Sequence, residues 1–168
     1  MLTMSIGQVI HDYRKVNRLT QGELAKRLPM DRTTLAKVES GSRELPPALE
    51  PVLARMCWKF ALKIADERTD GFISNILDDL PNLDLHPAAL KDVLLKEINE
   101  LEQALGGLVM AKHIDPEKRR ESAERVWQEM RDVMEKAIVL QGVLEEEFGI
   151  DRKRMIEKHE AEVKRGER

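Results

Sequence analysis

Residues 20–39 read TQGELAKRLPMDRTTLAKVE, a pattern typical of two short helices joined by a tight corner. The first helix is predicted to begin directly after Thr20, because Thr20 and Glu23 form a capping box. In this arrangement the threonine hydroxyl accepts a hydrogen bond from the amide of residue 23, and the glutamate side chain accepts one from the threonine amide. Leu24 and Leu28 lie one helical turn apart and predict a buried face on this helix.

The second half of this segment predicts another helix after a corner at Pro29. Proline has no amide hydrogen and disfavours helical geometry in the residue before it, so the first helix is expected to end there. Asp31 is a favourable N-cap for the next helix, and Leu35 and Val38 supply its buried face. The opposite face carries hydrogen-bond donors and one small side chain, namely Arg32, Thr33, Ala36 and Lys37. Such a face suits the major groove of DNA, where base edges present donors, acceptors and thymine methyl groups.

Residues 5–46 resemble the helix-turn-helix DNA-binding domain of the Cro/CI-type, or xenobiotic-response-element, family of transcriptional regulators. The matching residues are Leu19, Thr20, Gln21, Glu23, Leu24, Ala25, Leu28, Arg32, Thr33, Thr34, Leu35, Lys37, Val38, Glu39, Gly41, Arg43 and Pro46. The resemblance covers roughly a quarter of the chain. It implies an all-α fold whose head is a lambda-repressor-like helix-turn-helix domain.

The resemblance also implies roles for individual side chains. If the motif docks on DNA as its relatives do, base edges would be contacted by Arg32, Thr33, Ala36 and Lys37. Backbone phosphates would be held by Gln21, Ser40, Ser42 and Arg43, helped by free backbone amides in the loop that follows the second helix. Arg14 would pair with Glu39 and so join two helices. The family usually has glycine at the corner, and Pro29 cannot adopt the positive φ that glycine permits, so the corner must follow a different path.

The charge of the chain is unevenly distributed. The net charge is −3, which by itself does not favour nucleic acid as a partner. Residues 1–63, however, hold eleven Lys and Arg against six Asp and Glu, whereas residues 64–168 hold seventeen against twenty-five. Because phosphate neutralisation depends on local charge, a basic N-terminal part is compatible with DNA binding. The acidic remainder is expected to face away from the duplex.

The composition predicts an all-α protein. With 42% hydrophobic and 35% charged residues but only 4% aromatic residues, it favours helices packed through Leu, Ala and Met over a sheet. No apolar run is long enough to cross a bilayer and no secretion signal is evident, so a cytoplasmic location is expected. We expect a helix-turn-helix domain at 1–66, a connecting segment with one short helix at 67–87, and a helical oligomerisation or partner-binding region at 88–168.

The C-terminal region predicts two long helices. Apolar residues recur every three or four positions from Leu90 to Leu108, with a loosening at Gly106 and Gly107, and Asp115 followed by Pro116 marks the next helix start. The second helix carries a heptad-like seam of Val126, Met130, Val133, Ala137, Leu140 and Leu144, widened by Trp127, Met134 and Ile138. A hairpin of two helices would expose part of so wide a stripe, so homo-oligomerisation through residues 88–148 is expected.

The sequence carries no pattern that indicates an enzyme. It lacks a glycine-rich phosphate loop, an HExxH motif and a convincing nucleophile with a nearby base. The one cysteine, Cys57, offers no metal-binding spacing, and the four histidines are scattered over different predicted elements: His11, His86, His113 and His159. We therefore predict no catalytic residue, no metal ligand and no cofactor.

The interpretation that unites these features is a sequence-specific DNA-binding regulator, a repressor that binds an inverted-repeat operator in double-stranded DNA as a dimer or higher oligomer. Arg32 is the residue expected to contact a guanine. An antirepressor or another protein could bind the acidic helical region. The alternative is an antitoxin or an adaptor whose C-terminal helices bind a partner protein, and a toxin gene beside this one would favour it.

Overall fold

The computed structural model describes residues 4–168, and over this range the protein is all-α, as predicted. In chain order the helices are α1 (Ile6–Val16), α2 (Gln21–Arg27), α3 (Arg32–Glu39), α4 (Glu50–Met56), α5 (Trp58–Arg68), α6 (Ile76–Asp79), α7 (Pro87–Gly106), α8 (Pro116–Phe148) and α9 (Arg152–Lys164). A 3-10 turn at Pro47–Leu49 precedes α4. No helix within residues 4–168 combines the length and the apolar character needed to span a membrane.

The chain divides into two compact units, an N-terminal unit of residues 1–83 and a C-terminal unit of residues 84–168. The division falls inside the segment predicted to connect two domains, residues 67–87. The first part of that segment packs on the N-terminal unit, because Asp78 of α6 accepts a 2.8 Å hydrogen bond from the buried Lys63 of α5. The two units are described separately below.

The N-terminal unit is built around one apolar core. Its buried members come from α1 to α5 and the loop after α3: Ile10, Leu24, Ala25, Leu28, Leu35, Val38, Leu45, Leu53 and Phe60. The predicted buried faces of α2 and α3 therefore lie inside. Gly7 lets α1 approach the end of α3 closely, since a Cβ atom at this position would lie 2.1 Å from the carbonyl oxygen of Val38.

The corner between α2 and α3 contains no residue with positive φ. Leu28 adopts extended backbone, with φ −99° and ψ 103°, as the proline that follows it favours. The amide of Met30 donates back to the carbonyl of Ala25 at 3.4 Å, which closes the turn. A non-glycine residue with positive φ lies instead between α1 and α2, at Arg18 with φ 54°.

The helices α4 and α5 are separated by one extended residue, Cys57, with φ −154° and ψ 135°. The apolar pattern through this stretch is nearly continuous, and no break was predicted there. Pro51 lies in the first turn of α4, where a missing amide hydrogen costs no helical hydrogen bond.

In the C-terminal unit, α7 and α8 pack against each other as a helical hairpin. α7 ends at Gly106, and α8 begins at Pro116 after a side-chain cap from Asp115, as the sequence predicts. α8 runs for 33 residues and ends at Gly149, which adopts φ 60°. Asp151 caps α9, which has no buried residue and is joined to α8 by an ion pair between Arg152 and Glu145.

The face of α8 that is buried in the hairpin differs from the predicted seam. The buried residues of α8 are Val126, Lys136, Val139, Gly142 and Val143, and only Val126 belongs to the seam. Trp127 is 58% exposed and Met130 is 47% exposed. We predicted that packing against α7 alone would leave part of the apolar stripe of α8 uncovered. The exposed side chains of Trp127 and Met130 agree with this prediction.

Candidate nucleic-acid interface

The outward face of α3 brings together the residues predicted to contact DNA bases. Successive helical residues are about 100° apart, so residues 32, 33, 36 and 37 lie on the side opposite Leu35 and Val38. Arg32, Thr33 and Lys37 are exposed, and Ala36 between them is half-buried. We call these four residues the α3 face. It carries two cations, one hydroxyl and two methyl groups.

The α3 face is supported from within by fixed contacts. Leu35 is completely buried and Val38 almost completely, so α3 is anchored along its inner side. Asp31 caps the helix by accepting from the amide of Thr34 at 2.8 Å and from its hydroxyl at 2.6 Å. The hydrogen bond from the Thr34 hydroxyl has the largest effect on the pKa of the Asp31 carboxyl, and the bond from the Thr34 amide has the next largest. Both hold that pKa below its ordinary value. The cap therefore stays ionised at neutral pH, where it complements the positive end of the helix dipole.

Arg14 and Glu39 join α1 to the last residue of α3. Arg14 Nε donates to Glu39 Oε1 at 2.7 Å and Arg14 Nη2 donates to Glu39 Oε2 at 2.9 Å, a two-pronged pair with side chains 10% and 5% exposed. Burial works to raise the pKa of the Glu39 carboxyl, but hydrogen bonds from Arg14 and Gln21 outweigh it and hold that pKa below its ordinary value. The hydrogen bond to Glu39 raises the pKa of Arg14. The pair that the resemblance implies is thus present.

Gln21, expected to hold a phosphate, is hydrogen-bonded inside the protein. Its Nε2 donates to Glu39 Oε2 at 2.9 Å. A side-chain amide has two donor hydrogens, so one bond to Glu39 leaves a second hydrogen for another acceptor. The phosphate role of Gln21 stays a prediction, and the structure adds a second role, which is to complete the hydrogen bonding of Glu39.

The loop after α3 does not offer the free backbone amides expected of it. The amides of residues 40–43 all donate within the protein, to the carbonyls of Ala36, Val38 and, for the last two, Lys37. That expectation was wrong, because the chain turns tightly at Gly41, with φ 72°, and folds back onto the end of α3. The side chains of Ser40, Ser42 and Arg43 are exposed, so the predicted phosphate contacts of this loop rest on side chains alone.

Arg32 and Lys37, the two cations of the α3 face, lack internal partners in the described part of the chain. Neither side chain makes a hydrogen bond or ion pair with any residue between 4 and 168, whereas Arg43 Nη1 donates to the Thr34 hydroxyl at 3.4 Å. The hydroxyls of Ser40 and Ser42 also donate internally, to the carbonyl of Lys37. The two cations of the α3 face are therefore free to bind an external anion or acceptor without breaking an internal contact.

Comparison with protein-family models, with curated proteins and with solved structures finds no match to this chain. A function is therefore supported by the geometry of the α3 face, the resemblance of residues 5–46 and the basic excess in residues 1–63.

A group of carboxylates in the C-terminal unit was not predicted. Glu97 and Glu100 of α7 meet Glu129 of α8, and one oxygen from each lies within 4.8 Å of the others. The sequence does show that Glu97 and Glu100, and likewise Glu129 and Asp132, are three positions apart. Residues at this spacing lie on the same face of a helix. Their meeting across the hairpin depends on the register of α7 against α8, which the spacing does not give.

Proposed function

We propose that this protein is a sequence-specific DNA-binding transcriptional regulator of the Cro/CI-type, acting in the cytoplasm as a repressor at an inverted-repeat operator. The observation that carries the proposal is the α3 face, in which Arg32 and Lys37 are exposed and make no bond to residues 4–168, on a helix anchored by Leu35 and Val38. The resemblance of residues 5–46 supports the same function. The excess of basic residues in positions 1–63 is the charge that such a role requires.

In this proposal α3 enters the major groove. Arg32 donates two hydrogen bonds to one guanine, and Thr33, Ala36 and Lys37 contact neighbouring bases. Gln21, Ser40, Ser42 and Arg43 contact phosphates on either side and fix the register of α3 on the duplex. A bidentate arginine contact discriminates against the wrong base by about 1–3 kcal/mol, so Arg32 carries much of the specificity.

The C-terminal unit supplies self-association in this proposal. Exposed apolar side chains on both long helices, including Leu95, Ile98, Trp127 and Met130, are the surface on which a second copy would pack. A dimer presents two α3 faces, which can bind two DNA half-sites about one helical turn apart at the same time. The dimer then binds DNA more tightly than a single short helix does.

An antitoxin or adaptor protein is the second candidate, and the same exposed apolar residues favour it. In that case the surface around Trp127 and Met130 binds a different protein, and DNA binding has a secondary role. Size measurement of the purified chain by light scattering discriminates the two. A stable dimer or tetramer supports self-association, whereas a monomer that becomes stable only with a co-expressed neighbouring protein supports the adaptor.

The experiment that tests DNA binding is selection of fragments from the host genome by the purified full-length protein. We expect the recovered fragments to share one short inverted repeat. Recovery of unrelated sequences, lost as salt is raised to physiological concentration, would indicate charge attraction only and would contradict a sequence-specific function.

A further inference from the structure

The last helix, α9, differs in charge from the hairpin to which it is attached. Residues 84–150, which include α7 and α8, hold nine Lys and Arg against fifteen Asp and Glu, whereas residues 151–168 hold seven against five. None of the residues of α9 is buried, so its charged side chains remain at the surface. The C-terminal unit therefore carries one basic helix on an acidic body.

The apolar side of α9 faces α8. Met155 and Ile156 border the same groove as Leu140 and Leu144 of α8. This orientation is fixed near the start of α9 by Arg152, whose Nη2 lies 2.7 Å from an oxygen of Glu145 at the end of α8. The opposite side of α9 is therefore turned away from α8.

The side of α9 that is turned away from α8 collects cations. Successive residues of a helix are about 100° apart, so Lys153, Arg154, Lys164 and Arg165 lie together on this side. All four residues are exposed, and the side chain of Lys153 is 87% exposed. We call these four residues the α9 outer face.

Two acids of α9 point to the other side of the helix. Glu160 and Glu162 border the groove beside α8. Glu162 is only 15% exposed and lies 2.6 Å from Nε of Arg168, which neutralises it. The helix thus separates these acids from the cations of its outer face.

The cations of the α9 outer face have weak internal partners or none. Arg154 and Lys164 make no side-chain hydrogen bond or ion pair with any residue between 4 and 168. The other two lie near exposed acids close in sequence: Lys153 is 3.9 Å from Glu157, and Arg165 is 2.7 Å from Glu167. Exposed pairs of this kind stabilise a protein little and are screened by salt, so they do not prevent these cations from binding an external anion.

We propose that the α9 outer face binds the phosphate backbone of double-stranded DNA. Clustered Lys and Arg side chains neutralise phosphates, and such contacts do not depend on the base sequence. An anionic membrane is disfavoured as the partner, because a helix that lies in a membrane surface inserts its apolar side into lipid, and the apolar side of α9 faces α8. This inference rests on the proposed function, since the operator bound by the α3 face is the duplex that the α9 outer face contacts.

The two surfaces then have different roles. The α3 face distinguishes the operator from other sequences, whereas the α9 outer face adds affinity for any duplex. Each phosphate contact releases condensed counterions and steepens the fall of the logarithm of the binding constant with the logarithm of salt concentration by about 0.9. Removing the four cations should therefore make this slope less steep by about 2–4, and should leave the ratio of operator to scrambled-duplex affinity unchanged.

The test is fluorescence anisotropy of the full-length protein on the selected operator and on a scrambled duplex at several KCl concentrations. The variant carries Lys153→Gln, Arg154→Gln, Lys164→Gln and Arg165→Gln, and glutamine keeps the helix propensity of the residues it replaces. We expect weaker binding to both duplexes, a less steep salt dependence and an unchanged preference for the operator.

A matched control removes the same charge from the exposed surface of the hairpin, through Lys91→Gln, Lys112→Gln, Lys118→Gln and Arg125→Gln. It should leave the salt dependence unchanged. A wild-type salt slope in the α9 variant, or an equal loss of slope in the control, would overturn the proposal.

Two further measurements separate this inference from its alternatives. Loss of binding to phosphatidylserine vesicles in the α9 variant, together with a wild-type salt slope on DNA, would overturn the proposal in favour of a membrane partner. A wild-type protein without preference for any operator would contradict the proposed function. In that case the salt slope on the scrambled duplex still decides whether the α9 outer face binds phosphates.

Discussion

Arg14 and Glu39 are 25 positions apart in the chain, and their side chains form two hydrogen bonds of 2.7 and 2.9 Å. Arg14 also donates to the carbonyl of Leu19 at 3.2 Å, so one guanidinium ties the end of α3 both to α1 and to the loop before α2. The orientation of the α3 face relative to the rest of the N-terminal unit depends on this contact.

Arg14→Ala should destabilise the N-terminal unit by roughly 3 kcal/mol, because removing one partner leaves the carboxylate of Glu39 buried without its cation. The free energy of unfolding can be followed by Trp58 fluorescence in a Trp127→Phe background, which removes the signal of the other unit. Lys15→Ala, an exposed neighbour on the same helix, is the control and should change stability by less than about 0.5 kcal/mol. Equal effects of the two substitutions would contradict a structural role for the pair.

The contribution of this pair should depend on pH in one direction. The pKa of Glu39 in the folded protein is below its ordinary value of 4.5, so the folded state favours the ionised form. The stabilisation is therefore fully present above pH 4.5 and is lost as the pH falls through the folded-state pKa. We expect the difference in unfolding free energy between wild type and Glu39→Gln to be constant near neutral pH and to shrink in acid. Other acids titrate equally in both proteins, and a difference that does not change down to about pH 3 would refute the assignment.

Gly7→Ala and Gly22→Ala should have opposite effects. A Cβ at Gly7 would lie 2.1 Å from the carbonyl oxygen of Val38, so α1 must move away from α3 at a cost of about 1–3 kcal/mol or more. A Cβ at Gly22 has no atom closer than 3.9 Å, and alanine in this helix should stabilise it by about 0.5–1 kcal/mol. Thermal unfolding of the two variants measures whether each substitution lowers or raises the stability relative to the wild type. A neutral or stabilising Gly7→Ala would mean that α1 and α3 are not in contact here.

The ion pair of Lys63 and Asp78 should hold α6 on α5. The Lys63 side chain is 2% exposed, and Asp78 lies 2.8 Å away. Asp78→Ala leaves a buried ammonium with only the more distant Glu67, at 3.7 Å, and should cost roughly 3–5 kcal/mol. The double variant Lys63→Met, Asp78→Leu replaces both charges with apolar groups and should recover most of this loss in a denaturant titration. A double variant as unstable as Asp78→Ala would argue that α6 is held by other contacts.

Local signals in the sequence predicted the starts of α2, α3 and α8. The capping box of Thr20 and Glu23 forms as expected, and Asp31 and Asp115 cap the helices that they were expected to cap. These signals depend on atoms within three residues of one another, so the sequence contains all the information that they need. The exposed residues of the α3 face follow from the helical period in the same way.

The resemblance implied one distant contact, the Arg14–Glu39 pair, but other features that depend on distant contacts were not predicted. Neither the burial of Lys63 against Asp78 nor the meeting of Glu129 with Glu97 follows from spacing, because each requires the position of a second helix. The residues that are buried on α8 were not predicted either, since periodicity marks apolar residues but not which of them α7 covers. At Pro29 the sequence predicted that the corner differs from the family pattern but not how. The backbone of the structure shows the difference, with Leu28 in extended geometry.

The most direct test of function is the affinity of the full-length protein for its selected DNA site, measured by fluorescence anisotropy at several salt concentrations. We predict that Arg32→Ala lowers the preference for that site over a scrambled duplex by about 1–3 kcal/mol while weak, salt-sensitive binding persists. Arg55→Ala, which removes the same charge from the exposed surface of α4, should leave the preference unchanged. An Arg32→Ala protein that keeps the full preference of the wild type would contradict a base-reading role for the α3 face.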